Sequence, residues 1–281
     1  MEVFREIQGL RHFLSAYKQQ RKSIGFVPTM GALHQGHLEL VRKSMSQNDI
    51  TVCSIFVNPT QFNNPSDLEK YPRDVDADLA KLEKISCGVV FLPDVDEMYD
   101  KEIFVNIHFG YLENVMEGKF RPGHFKGVGL IVAKLFNVVL PSRAYFGTKD
   151  LQQLAIITQL CRELLFDIEI IPVQTVREPD GLAMSSRNEL LSSSERPQAT
   201  DLYKALLFAR EKLIDKESVE SVKKNVRDFF ESDSAVELEY FEIVNTDDLQ
   251  NISDIGEAKR VSLCLAGYLG KVRLIDNISL Y

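Results

Sequence analysis

Apolar positions in the first 175 residues alternate between two spacings, and the alternation predicts a succession of strands and helices. Residues 23–27 form a short apolar run that stops at Pro28. Leu38, Val41 and Met45 then recur at helical spacing across residues 36–47. Residues 50–57 are nearly all apolar and rich in β-branched and aromatic side chains, as expected of a strand covered on both faces. A polar loop over 58–72 leads to helical spacing at Val75, Leu79 and Leu82, then to a buried-strand pattern over 89–92. Residues 128–139 read as a helix, 143–146 as a strand, 151–165 as a strongly apolar helix and 168–173 as a strand. Strand–helix–strand repetition implies parallel pairing with right-handed crossovers, hence an α/β fold with a doubly wound, Rossmann-like sheet.

The pattern changes beyond Val176. A serine-rich polar stretch over 184–196 precedes helical segments near 198–214 and 219–230. Strand-like runs follow at 238–245, 261–268 and 272–275, the last two joined by a tight Leu-Gly-Lys turn. Helices followed by hairpin-connected strands predict a smaller α+β domain. The expected division is residues 1–175 and 176–281.

Composition narrows the choice of ligand. The 281 residues are 44% hydrophobic and 26% charged, with a net charge of −8. Such an acidic balance offers no general attraction to nucleic acid or to an anionic membrane, so anion binding has to come from a local site. That points to a small anionic ligand. Cys53, Cys87, Cys161 and Cys264 are widely separated among mostly apolar neighbours, without CxxC or Cys/His ligand spacing, and read as buried reduced thiols. The first residues, Met-Glu-Val-Phe-Arg-Glu, carry acids where a secretory signal is basic, and no run of 18 apolar residues occurs. The expected location is cytoplasmic.

Candidate chemistry begins where the first strand pattern gives way to the first helix pattern. Pro28, Thr29, Met30, Gly31, Ala32, Leu33, His34, Gln35, Gly36 and His37 fill that junction. In a doubly wound sheet ligands bind at the carboxyl ends of strands, and a helix N-terminus there favours an anion. Gly31 and Gly36 remove side chains where a ligand would approach the backbone. His34 and His37, two of only five histidines, lie three apart and can face one point on the first helical turn. Two imidazoles so placed can meet a triphosphate and stabilise charge developing at its α-phosphorus. The plainer alternative is a pair of surface histidines. The spacing matches neither GxxxxGK[ST] nor GxGxxG. It matches the His-x-Gly-His signature of the nucleotidylyl-transferring superfamily, which includes class I aminoacyl-tRNA synthetases. A downstream companion stands at Met184, Ser185, Ser186, Arg187 and Asn188, where two hydroxyls and a guanidinium can bind β- and γ-phosphate oxygens. A serine-rich helix cap is the bland reading of that stretch.

Taken in order, PTMGALHQGH, FVNPTQFNNPSDLEKYPRD, FGTKDLQQ, AMSSRN and the terminal RLIDN over 273–277 resemble the pantoate–β-alanine ligase (pantothenate synthetase) family along essentially the whole chain. The resemblance implies an ATP-dependent condensation through a pantoyl adenylate. It makes the histidine turn the ATP site, with His37 as proton donor and His34 beside it on the phosphates. Gln61 would contact both pantoate and β-alanine, with Asn58 as its companion on pantoate; a carboxamide offers donors and an acceptor to hydroxyl and carboxylate alike. Gln153 matches the family's pantoate-binding glutamine, and Val176 a backbone contact to adenine. Gly147, Thr148, Lys149 and Asp150 follow a strand, where Lys149 can neutralise phosphate charge and Asp150 can accept from ribose hydroxyls. Many relatives carry Glu where this chain has Thr148. The catalytic set is therefore His34, His37, Lys149 and Arg187.

Mg²⁺ is expected to arrive on the ATP phosphates. Asp74, Asp76 and Asp78 could help hold it, but acids in a first helical turn more often serve the cap and the dipole. Arg121 to His124 form a basic turn outside the catalytic set, and residues 63–71 are a candidate lid. The resemblance also favours a homodimer through the larger domain. One rival reading is an adenylyltransferase that moves AMP to a phosphate-bearing small molecule; another is a catalytically silent nucleotide sensor.

Overall fold

The computed structural model describes residues 1–63, 68–69, 71–99 and 102–281. The expected lid over 63–71 therefore lies largely outside the described residues. The chain divides into two compact units, residues 1–148 with 152–174, and residues 149–151 with 175–281.

The first unit is the α/β one. Its elements run β1 (Glu2–Phe4), α1 (Ile7–Gln19), β2 (Ile24–Thr29), α2 (Gln35–Met45), β3 (Ile50–Ile55), α3 (Val75–Lys84), β4 (Val89–Phe91), α4 (His124–Val139), β5 (Arg143–Gly147), α5 (Leu151–Glu163) and β6 (Glu169–Val173). The six strands form one parallel sheet in the order β1-β4-β3-β2-β5-β6. The order reverses at β2, so the switch point of this doubly wound sheet lies at the carboxyl ends of β2 and β5. β1 and α1 go beyond the elements the sequence patterns predict.

Alternation along the strands explains why both faces are covered. Phe26, Val52, Phe91 and Phe146 point to one face and pack under α1, α4 and α5 with Leu10, Leu14, Phe136 and Ile156. Their neighbours Val27, Cys53, Val90 and Tyr145 point to the other, against Leu38 and Val41 of α2 and Leu82 of α3. With mostly apolar side chains on both faces, the strands read as largely hydrophobic runs in the sequence.

The second unit holds α6 (Asp201–Ile214), α7 (Val219–Ser232) and an antiparallel sheet, β7 (Glu237–Asn245), β8 (Val261–Leu269) and β9 (Val272–Ser279), in that order. Leu202, Leu206 and Leu213 of α6, Val222 and Val226 of α7 and Ile243, Leu263 and Leu274 of the sheet make its core. All four cysteines are buried thiols. Burial raises the Cys87 and Cys161 thiols to about 11, which keeps them protonated and poor nucleophiles near neutral pH.

Candidate functional site

β2 continues through Pro28 to Thr29, whereas the apolar pattern alone ends it at Pro28. The proline is tolerated because β5 pairs with β2 only at Gly25 and Phe26, so the missing N–H falls beyond the ladder on that side. Thr29 Oγ1 donates to the Ser54 carbonyl at 2.7 Å and accepts the Gly31 N–H at 3.2 Å. The backbone then turns through two left-handed residues, Gly31 at φ 80° and Ala32 at φ 48°. A Cβ on Gly31 would lie 3.0 Å from Asp78 Oδ2 and 3.2 Å from Ile55 Cγ2, so conformation and space both favour glycine.

Leu33 is gripped by both of its polar backbone groups. Asp78 Oδ1 accepts its N–H at 2.7 Å, and Lys81 Nζ donates to its carbonyl at 2.7 Å. Burial pushes the Asp78 carboxyl above the ordinary carboxylate range, while the Leu33 amide and Lys81 pull it back. Asp74 caps α3 by accepting the Ala77 N–H at 3.0 Å. Asp74 and Asp78 thus serve the local fold, and Asp78 fixes the turn that carries the histidines. Replacing Asp78 by Ala leaves a buried amide unpaired, so unfolding free energy in urea should fall by about 1–3 kcal/mol. Asp78→Asn keeps an acceptor and should restore most of that; equal losses in the two variants would count against the clamp.

His34 is the N-cap of α2, with extended backbone, and its Nδ1 accepts the Gly36 N–H at 3.1 Å. His37 Nδ1 accepts the His34 N–H at 3.3 Å, and the two rings lie 4.1 Å apart, centroid to centroid. A neutral imidazole that accepts at Nδ1 carries its proton on Nε2. Both rings are therefore Nε2–H donors at the positive end of a helix, an arrangement suited to phosphate oxygens.

The second turn of the first unit runs through Asn58 and the 3₁₀ residues Pro59–Gln61. Gln61 Nε2 donates to Met30 Sδ at 2.8 Å, which brings this turn against the histidine turn. Asn58 is 1% exposed, and its side chain bonds to Gln61, Gly127, Thr60 and Tyr99. Of the two glutamines that open α5, Gln152 is buried and binds the backbone of Glu117, Leu112 and Val115 at 2.7–2.9 Å. Gln153, the expected pantoate ligand, is half-buried beside it. Gly147 ends β5, and Thr148 begins the 3₁₀ turn Thr148–Asp150.

The second unit gathers the remaining candidates. The Met184 N–H donates to the Val176 carbonyl at 3.0 Å, and Arg177 pairs with Ala183, so Val176 and Met184 close a small hairpin. Ser185 Oγ accepts the Arg187 N–H at 3.3 Å and caps the 3₁₀ turn Ser186–Leu190. The cap is thus real for Ser185, yet a hydroxyl that accepts an N–H still has its own proton to donate. Lys149 belongs to this unit, where Asn277 Nδ2 donates to its carbonyl at 2.7 Å. Lys149 Nζ lies 3.5 Å from Asp150 Oδ1. Asp276, next to Asn277, forms a bidentate pair with Arg177 at 2.6 and 2.9 Å. Burial raises the Asp276 carboxyl while Arg177 pulls it down.

Sequence reasoning missed Asp78 and Lys81 as holders of the histidine turn, Gln152 as an anchor, and Asn277 as the holder of Lys149. The RLIDN run signalled the last without revealing its partner.

A parallel sheet with an anion-ready turn at its switch point defines the class, a Rossmann-like α/β fold. A family profile described as pantoate-beta-alanine ligase matches residues 2–279. Pantothenate synthetases of Caldicellulosiruptor bescii and Bacteroides thetaiotaomicron are 48% and 47% identical to the chain; each alignment covers 99% of it and 98% of the relative. The pantothenate synthetase structure from Thermus thermophilus aligns over all of both chains with a TM-score of 0.94 at 40% identity. A Francisella tularensis pantoate-beta-alanine ligase, solved with beta-gamma ATP and β-alanine, aligns over 100% of this chain and 98% of its own, at a TM-score of 0.81 and 35% identity. The chain belongs to the pantoate–β-alanine ligase family.

Proposed function

We propose that this ligase joins pantoate to β-alanine in two steps with ATP as co-substrate. A pantoate carboxylate oxygen attacks the α-phosphorus, and pyrophosphate leaves from it. The β-alanine amine then attacks the acyl carbon of pantoyl adenylate, AMP departs, and the amine loses a proton to give pantothenate. Adenylation makes the acyl carbon reactive, so the protein contributes position and charge stabilisation and forms no covalent bond to the acyl group.

The carrying observation is that the histidine turn and Gln61 meet through Met30 in one unit. ATP is assigned to residues 28–37, with Nε2–H of His34 and His37 on phosphate oxygens. Gly147, Thr148, Lys149, Asp150, Val176, Met184, Ser185, Ser186 and Arg187 serve the same nucleotide, Lys149 and Arg187 as its cations. Gln61 and Gln153 take pantoate, and Gln61 also takes the β-alanine carboxylate. Mg²⁺ enters on the ATP phosphates, and Asp78 Oδ1 serves the Leu33 N–H. The Francisella complex with an ATP compound and β-alanine supports the substrate assignment.

Incubation with ATP, pantoate and β-alanine should release AMP and pyrophosphate together, only when pantoate is present. Pyrophosphate release independent of pantoate would favour the rival adenylyltransferase. A homodimer through the first unit completes the proposal, supported by the apolar surface of Phe104 and Val105, exposed at 80% and 63%. A solution mass of one chain, 32.0 kDa, would remove that part. Among the described residues no helix is long and apolar enough to cross a membrane, and the cytoplasm is the proposed location.

A further inference from the structure

The turn that presents Gln61 is held from inside by groups whose hydrogen-bonding roles are forced. The Gly127 carbonyl can only accept, and it lies 3.2 Å from Asn58 Nδ2. The Thr60 N–H can only donate, and it lies 3.4 Å from Asn58 Oδ1, which also takes the Tyr99 hydroxyl at 2.9 Å. The Asn58 amide therefore has one orientation. Its second N–H meets Gln61 Oε1 at 3.1 Å, and this orients the Gln61 amide in turn. The Gln61 acceptor faces inwards, and its NH₂ faces the histidine turn at Met30.

The main chain of the same residue is held by His124, a buried histidine on the first turn of α4. Its Nδ1 lies 2.8 Å from the Gln61 carbonyl, which accepts, so Nδ1 carries the proton. Nε2 is then the acceptor facing Arg121 Nη1 at 3.2 Å. Gly127 lets the helix press this close: a Cβ there would lie 2.7 Å from the Gln61 nitrogen.

We infer that Asn58 and His124 are positioning residues that make Gln61 a one-directional hydrogen-bond donor to the oxygens of the acid substrate. Asn58 then acts through Gln61, in place of the direct contact with pantoate that the family resemblance implies. The inference rests on the ligase reading above.

Steady-state kinetics of two His124 variants test it. His124→Phe keeps the ring volume and loses the N–H, and should raise the KM for pantoate about tenfold, the scale of a lost buried hydrogen bond. The KM for ATP should stay nearly unchanged. His124→Asn offers Nδ2 in place of Nδ1 and should recover most of the pantoate KM. An unchanged pantoate KM in His124→Phe would overturn the inference. So would parallel rises in both constants that track lost thermal stability in both variants. If His124→Phe fails to fold, Tyr99→Phe decides: it removes one bond to Asn58 Oδ1 without touching Gln61, and should raise the same constant about threefold. No change there would overturn the inference. Failure of the ligase reading is a separate result, visible in the unmodified protein as pyrophosphate release that ignores pantoate.

Discussion

Replacing His37 by Ala lowers turnover about 10²–10³-fold in pantoate-dependent pyrophosphate release, the loss expected when one preorganised charge-stabilising donor is removed. The expectation follows from the tautomer. The His34 amide at 3.3 Å occupies Nδ1, so the His37 proton resides on Nε2. Negative charge grows on phosphate oxygens as the carboxylate adds to the α-phosphorus, and a donor fixed at a helix N-terminus stabilises that charge without reorganising. The substitution also removes an acceptor from the α2 cap, a loss of about 1 kcal/mol in stability. Denaturation separates the two effects, because the cap loss appears in unfolding and the catalytic loss in turnover. A variant with near-normal turnover would remove His37 from the chemistry.

Gln61→Glu should raise the KM for pantoate about 10²-fold or more, because like charges brought together cost several kcal/mol. An outward N–H donor would be replaced by a carboxylate oxygen, facing a substrate that is itself a carboxylate. Gln61→Ala should cost less, about tenfold, since it deletes a hydrogen bond without adding repulsion. The order is the diagnostic feature. If Glu proves no worse than Ala, the acceptor side of Gln61 faces the substrate, and the orientation set by Asn58 is wrong.

The sheet was legible because strands covered on both faces leave largely apolar stretches, as at residues 50–55 and 144–146. β1 was not, since three residues with two of them exposed make no such run. The histidine turn could be read from its glycines and the spacing of its imidazoles. Its support could not: Leu33 is held by Asp78 and Lys81, 45 and 48 positions away, and acids at a helix start look alike whether they cap or clamp. The bond from Asn277 to Lys149 spans 128 positions. Short motifs carry the chemistry of a site, and long-range backbone bonds carry its alignment. Only the first has a local signature.

That last bond bears on how the protein can be recombined with its relatives. Lys149 to Leu151 are covalently embedded in the first unit's chain yet belong to the second. Cutting at residue 175 and grafting on another family member's tail would thus separate Lys149 from the asparagine that holds it. Such a chimera keeps the Lys149 backbone held only if the donor tail restores an amide at position 277. The seam between the two parts is a set of three crossings, and a viable exchange has to respect all of them.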